Sequence, residues 1–210
     1  DIGTSSLKAA LITVEGKLTA YARVRFPAGR RTAWHWLHSF AEAWETLGKN
    51  AESLGAESLG AASGSARTGN YANASTVCAI AVSGNGPTLV SVDASGDPTA
   101  LYLWNEPLSE SESAAAAAAT GVRKTASSPS IFLPRLRSFA ALFPAELDSA
   151  RFLLSGPEFL IYALTGSAVT VLPDPRYESA YWKSEDIAAS GIDSALLPPF
   201  TAQGTIAGTT

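Results

Sequence analysis

Methionine is absent from all 210 residues, and the first residue is Asp1. A chain of this length ordinarily carries several methionines. The sequence therefore reads as a fragment, or as a chain from which residues were dropped. There is one cysteine, Cys78, and there are two histidines, His35 and His38. A single cysteine rules out a disulfide framework, and this supply nearly excludes a dedicated Cys/His zinc site. The same scarcity suits a reducing compartment, so a cytoplasmic location is expected. No stretch approaches the roughly 18 consecutive apolar residues of a membrane-spanning helix. No basic segment leads into an apolar one at the start, so no signal peptide is expected. Lys and Arg number 15 against 19 Asp and Glu, for a net charge of −4. With a pI near 5.2, the chain lacks the basic face of a nucleic-acid binder. It also gives an anionic membrane surface nothing to attract.

What is present is apolar. The hydrophobic fraction is 46% and only 16% of residues are charged, which excludes wholesale disorder. A chain of this size buries about 70% of its unfolded surface. Residues 7–14 and 18–26 read as two strands joined by Glu15-Gly16-Lys17, a hairpin loop. Trp34, Leu37, Ala41, Trp44 and Leu47 recur at spacings of three and four, so a helix is predicted over 32–47, running on toward Leu54. Residues 60–75 are rich in Gly, Ala, Ser and Asn and read as a loop. Residues 77–82 are a continuous apolar run, predicted as a strand buried on both faces with Cys78 as a small core residue. A strand over 88–92, a tight turn at 93–98 and a strand over 101–104 make a second hairpin. Ser109 and Glu112 have capping-box spacing ahead of the alanine run 114–119, where a helix begins. Further helices are predicted at 135–143 and 157–164, the latter with Pro157 near its start and Gly166 past its end. A short strand follows at 169–172, then a short element at 186–190. No linker splits the chain, which is treated as one α/β domain with a mixed sheet.

The sharpest local feature is Asp1-Ile-Gly-Thr-Ser-Ser-Leu-Lys8. An acidic residue ends a strand. A glycine, three hydroxyl residues and a cation follow. Gly3 allows close approach of the backbone to a ligand. Thr4, Ser5 and Ser6 offer hydroxyls and successive N–H groups that suit phosphate oxygens. Lys8 can neutralise phosphate charge, and Asp1 can hold Mg²⁺ directly or through water. A Ser/Thr-rich hairpin turn with a solvated lysine accounts for the same residues. His35 and His38 stand at i, i+3 but lack a third ligand, which favours a structural or surface role. Of the five tryptophans, Trp34, Trp36 and Trp44 read as helix packing, and Trp104 has the better claim to a site.

Asp-Ile-Gly-Thr-Ser-Ser-Leu-Lys followed by Ala-Ala-Leu-Ile resembles the first phosphate motif of the FGGY carbohydrate kinases, in the actin/hexokinase/Hsp70-like ATPase superfamily. Ala79-Ile-Ala-Val-Ser-Gly84, Val92-Asp-Ala-Ser-Gly-Asp-Pro98 and Leu101-Tyr-Leu-Trp104 are similar to that family's core strand, glycine-turn hairpin and tryptophan strand. The stretch from Leu153 to the Leu-Thr-Gly ending at Gly166 resembles its next helix. Gly191-Ile-Asp-Ser-Ala-Leu-Leu-Pro-Pro199 with Gly204-Thr-Ile-Ala-Gly208 resembles the segment closing its first domain. The matches run in order along residues 1–210.

The resemblance implies a ribonuclease H-like, actin-like ATPase domain, with a mixed β-sheet flanked by helices. It implies ATP-dependent phosphorylation of a sugar, ketose or polyol hydroxyl, of xylulokinase-like flavour, with ATP and Mg²⁺ as cofactors. Residues 1–210 would be the N-terminal domain, partnered by a C-terminal nucleotide domain that is not in this chain. A homodimer is compatible with this reading. Neither nucleic acid nor membrane is expected as a partner. Thr4, Ser5, Ser6 and Lys8 take the phosphate contacts and Asp1 the metal. Asn85, Gly86, Pro87 and Thr88 stand where the family often has glutamine and a second polar residue. Trp104, Asn105 and Glu106 stand where it often reads Trp-x-Asp-x-Arg, and the arginine is absent here. These seven residues are expected on the sugar side. The family's base is an aspartate soon after Leu-Thr-Gly. Here Val171 stands next to Thr170, which makes Asp174 the provisional base. A surface turn between Pro173 and Pro175, capped by a solvated Asp174, is the alternative. A non-catalytic sugar- or nucleotide-binding relative that has lost its base is the alternative function.

Overall fold

The computed structural model describes residues 1–29, 31–59, 77–113 and 130–210. It divides into two compact units, Asp1–Gly84 and Asn85–Thr210.

The first unit is a hairpin under a long helix. Strand β1 (Ser6–Ile12) pairs antiparallel with β2 (Leu18–Arg25), and Gly16 turns between them at φ +83°. Alternation in β2 puts Ala20, Ala22 and Val24 on the buried face, as the period of two requires. Helix α1 (Ala33–Leu59) packs on both strands. It starts close to the predicted position and runs beyond Leu54. Its buried face is rotated from the expected one. Ala33, Trp36, Ala43 and Leu47 are buried, whereas Trp34 is exposed. Both sets have helical spacing. The hairpin, which periodicity alone cannot see, selects between them. At the helix start, Thr32 N–H donates to His35 Nδ1 at 3.0 Å, so that imidazole caps a turn.

The expected strand over 77–82 is not formed. These residues have no helix or strand assignment and are mostly exposed, Ile80 to 41%. Cys78 is likewise exposed, not a core residue. Only the end of the segment enters a ladder, through a parallel bridge from Ile2 to Gly84. A strand needs a hydrogen-bonded neighbour along its length, and apolar composition does not provide one. The loop predicted at 60–75 and the alanine run 114–119 lie outside the described residues. Residues 110–113 are helical, so the helix start after Ser109 is observed.

The second unit is organised on β3 (Leu89–Val92), which is buried at every position. It pairs antiparallel with β4 (Pro98–Tyr102) on one edge and with β5 (Phe152–Leu154) on the other. The β3–β4 turn is built by Asp93, whose Oδ1 accepts the N–H groups of Ser95 and Asp97 at 2.8 and 3.0 Å. Gly96 completes it at φ +90°. Strand β4 ends at Tyr102, two residues short of the prediction, so Trp104 falls just beyond the sheet. Helices α2 (Leu133–Leu142) and α3 (Pro144–Asp148) precede β5. Helix α4 (Gly156–Thr165) follows it and ends at Gly166 in the left-handed region. Strand β6 (Thr170–Leu172) pairs parallel with β7 (Phe200–Ala202). Helices α5 (Glu178–Tyr181) and α6 (Ser184–Ser190) lie between them. Leu89, Tyr102, Phe132, Leu136, Phe139 and Leu153 form the heart of the core. The result is a mixed α/β chain, with three small sheets among the described residues. Among the described residues, no helix is long and apolar enough to cross a membrane.

Candidate active site

The phosphate-type motif forms a small charged cradle in the first unit. Lys8 Nζ lies 3.1 Å from Asp1 Oδ2, and Ser83 Oγ donates to Asp1 Oδ1 at 3.4 Å. Their backbones are locked together: Asp1 N donates to Lys8 O at 2.8 Å and Lys8 N to Asp1 O at 2.9 Å. The loop closes through Gly3 N–H on Ser6 O at 2.9 Å. A Cβ on Gly3 would stand 3.0 Å from Ser6 O, 3.9 Å from Lys8 Nζ and 4.0 Å from Asp1 Oδ2. The missing side chain therefore leaves space beside both charged groups, as close approach of a ligand requires. The three hydroxyls differ. Ser5 is exposed. Ser6 is buried, and its Oγ accepts from Arg23 Nε at 3.1 Å.

The second unit brings together two of the predicted groups. Thr88 is buried, and its Oγ1 accepts the N–H of Trp104 at 3.1 Å. The bond brings Thr88 and Trp104 together. Glu106 Oε2 accepts the N–H of Leu103 at 3.2 Å, and Glu106 N–H donates to Leu103 O. The carboxylate therefore holds its own turn. Trp104 remains 44% exposed above it, and Asn105 is exposed. Asn85 Nδ2 is a buried donor without a partner.

Sequence reasoning missed Arg135. Its guanidinium donates to Leu103 O at 3.1 Å and Glu106 O at 2.7 Å, and it also reaches Trp104 O. It lies 4.8 Å from the Tyr102 ring centroid, within cation–π range. The motif after Trp104 lacks the expected arginine. The arginine that fixes the turn comes instead from α2, where local spacing gives no hint of it.

Asp174 is placed at a surface turn. It caps the short 3₁₀ turn Pro175–Tyr177, accepting Arg176 N–H at 2.9 Å. Its two oxygens also meet Arg176 Nε and Nη2 at 2.9 and 3.0 Å. These bonds hold its carboxyl below the ordinary value. Among the described residues, a carboxylate with the opposite shift is Glu158, which sequence reasoning also missed. Glu158 is buried. It accepts Ser155 N–H at 3.0 Å and Val171 N–H at 2.5 Å. Burial raises its pKa against these hydrogen bonds. The Ser155-x-x-Glu158 spacing is the signal that could have found it. Tyr181 donates to Val171 O at 2.9 Å, and burial and then Glu158 push its hydroxyl up to about 12.

No family model and no curated protein matches the sequence. Solved structures do. A "xyloylose kinase" from Brucella ovis matches with TM-score 0.70 at 21% identity, over 99% of this chain and 43% of that one. The chain has the fold of the FGGY-type sugar kinases. The xylulose kinase of Rhodospirillum rubrum matches at TM-score 0.70 and 15% identity, over 98% and 43%. The glycerol kinase of Plasmodium falciparum, solved with ADP, matches at 0.68 and 12%, over 99% and 43%. The chain thus spans less than half the length of the sugar-kinase structures that it resembles.

Proposed function

We propose that this chain is the first, ribonuclease H-like domain of a cytoplasmic ATP-dependent carbohydrate kinase. The reaction is transfer of the γ-phosphoryl group to a hydroxyl of a sugar, ketose or polyol. The observation that carries this reading is the cradle over Gly3, where Asp1 and Lys8 stand together on the fold of sugar kinases.

Lys8 is a point charge for phosphate oxygens. Asp1 suits Mg²⁺, which takes one or two carboxylates and keeps its waters. Bound ATP and Mg²⁺ would supply the transferable phosphoryl group and part of its charge neutralisation. Thr4, Ser5 and the N–H groups of the loop complete the lining, and Ser6 acts through Arg23 and β1. Asn85, Gly86, Pro87, Thr88, Trp104, Asn105 and Glu106 form the proposed sugar wall. The unspent amide of Asn85 and the exposed indole of Trp104 suit a hydroxyl-rich ring with apolar faces. Asp174 is the proposed acceptor of the hydroxyl proton, and it must leave Arg176 to serve. A C-terminal domain is the proposed partner that completes the site.

Titration of this chain with magnesium pyrophosphate, followed by amide NMR, tests the cradle. Shifts should concentrate at residues 3–8, and Lys8→Met should abolish most of them. Shifts scattered elsewhere, or none, would remove the phosphate assignment.

The second reading, a binding protein without turnover, is favoured by the Asp174–Arg176 pair. In a protein joined to its proposed partner domain, Asp174→Asn decides between the two. A general base contributes on the order of 10² to 10⁴ in rate. Unchanged turnover places the base elsewhere. No turnover in the parent protein supports the binding reading.

A further inference from the structure

Ser6 closes the phosphate-type loop, and it is only 2% exposed. A hydroxyl has one proton to donate as well as lone pairs that accept. Ser6 Oγ accepts Arg23 Nε at 3.1 Å, and among the described residues no group accepts the Ser6 proton in return. A buried donor without an acceptor is costly. The ladder of β1 and β2 sets Lys8 directly opposite Arg23 and Ser6 opposite Arg25. Opposite residues share a face of the sheet. Ala22 and Val24, which alternate with the two arginines, are buried, so the cations lie on the other face, and both arginines are exposed there. Neither strand carries an acidic residue. Lys8 has Asp1 at 3.1 Å, but among the described residues Arg23 and Arg25 have no carboxylate within ion-pair distance. Like charges directly opposite each other destabilise a sheet. This patch is rich in donors and short of acceptors. It continues the cradle over Gly3, where a Cβ would stand 3.9 Å from Lys8 Nζ.

We infer that Arg23 is a second phosphate-binding cation of this motif, held ready by Ser6 and acting beside Lys8, so that the cradle takes a polyphosphate chain in preference to a single phosphate. The inference rests on the phosphate reading of the cradle. Opposite residues have Cβ atoms about 5 Å apart, and both side chains are long. Lys8 and Arg23 can therefore grip neighbouring phosphate groups of one chain. Their chemistry divides the work. The ammonium is a compact point charge, and the guanidinium is a planar fork that pairs with two oxygens at once. Nε is spent on Ser6, which leaves both Nη groups to make that fork. A phosphate oxygen also supplies the acceptor that the Ser6 proton lacks, and its charge offsets the repulsion across the Lys8–Arg23 rung. Motif spacing gives no hint of this cation. Arg23 lies 17 residues beyond Ser6, and only the register of the hairpin brings the two together.

Calorimetric titration of this chain with magnesium pyrophosphate and, separately, with inorganic phosphate tests the assignment. Ionic strength is held constant, because salt screens exposed charges. The parent chain should prefer pyrophosphate. Arg23→Gln should weaken pyrophosphate by about tenfold or more, the usual size of a lost charge-assisted hydrogen bond, and should change inorganic phosphate much less. Arg23→Lys keeps the charge without the fork and should recover only part of the loss. Arg25→Gln removes a charge from the same face without touching Ser6, and should weaken pyrophosphate far less than Arg23→Gln does. Amide spectra that match the parent away from the substituted position check that each variant is folded. If Arg23→Gln binds pyrophosphate as the parent does while Lys8→Met does not, the inference is overturned and the phosphate reading of the motif stands. Equal losses in Arg23→Gln and Arg25→Gln overturn it too, because they mark unspecific charge attraction. A parent chain that takes both anions equally well has the same consequence. A parent chain that binds neither anion overturns the phosphate reading itself, and this inference with it.

Discussion

Arg135 shows how much one side chain can decide. It reaches three carbonyls of the turn after β4 and stacks near Tyr102. A guanidinium presents donors in a planar fork, and an ammonium does not. Arg135→Gln should therefore speed amide exchange at Glu106 and lower stability by about 1–3 kcal/mol, the usual cost of stranding such groups. Arg135→Lys should restore only part of both. Urea unfolding and exchange rates measure the two effects. Equal values for Arg135→Lys and the parent would show that the fork geometry is irrelevant. Glu158 makes a pH prediction. Its carboxyl is held above its ordinary value near 4.5 by burial. The folded state therefore binds this proton more readily than the unfolded one. The contribution is full below the unfolded value and is lost as pH rises through the raised one. Glu158→Gln should remove that slope. It should also cost about 1–3 kcal/mol, because a single amide oxygen cannot serve both Ser155 N–H and Val171 N–H. Unfolding titrations across the acid range compare the slopes. An unchanged slope would place its origin in another group.

At the scale of elements, the ends were more readable than the faces. Pro157 and Gly166 mark α4, and the structure confirms both ends, with Gly166 at φ +72°. A Cβ there meets no neighbour within 4 Å, so the penalty for a side chain is conformational alone. Gly166→Ala should cost about 1 kcal/mol, read as a lower urea midpoint with an unchanged slope. No loss would mean that the cap relaxes out of the left-handed region. Faces are harder. The stripe chosen from the sequence for α1 holds Trp34, but Trp36 is the tryptophan that is buried. A helix with apolar residues on adjacent stripes offers several candidate faces, and the sheet beneath it chooses. The run 77–82 fails for a related reason. Its composition suits a two-sided strand, but strand formation depends on edges that belong to other segments.

At the scale of the whole molecule, length limits chemistry. Phosphoryl transfer depends on alignment and exclusion of water. The chain covers 43% of the kinase structures that it resembles. This chain by itself should therefore release no ADP in a sugar-dependent manner. A coupled assay with ketoses and polyols checks this, and robust turnover would show that the site is complete within these residues.

The sequence by itself determined features that depend on neighbours along the chain. The 15–17 hairpin loop, the Asp93 turn, the α4 boundaries and the Asp1 to Lys8 loop are set by local torsion preferences and short-range hydrogen bonds. The fold of a sugar kinase was suggested by the resemblance of the motifs, in their order, to the FGGY carbohydrate kinases. Only tertiary structure decided which face of α1 is buried and that Ser6 is tied to Arg23. It also decided that Arg135 supports the Trp104 turn from 31 residues away. Each of those outcomes needs a partner whose distance in space has no fixed relation to its distance in sequence. Side-chain composition alone cannot specify which partner arrives.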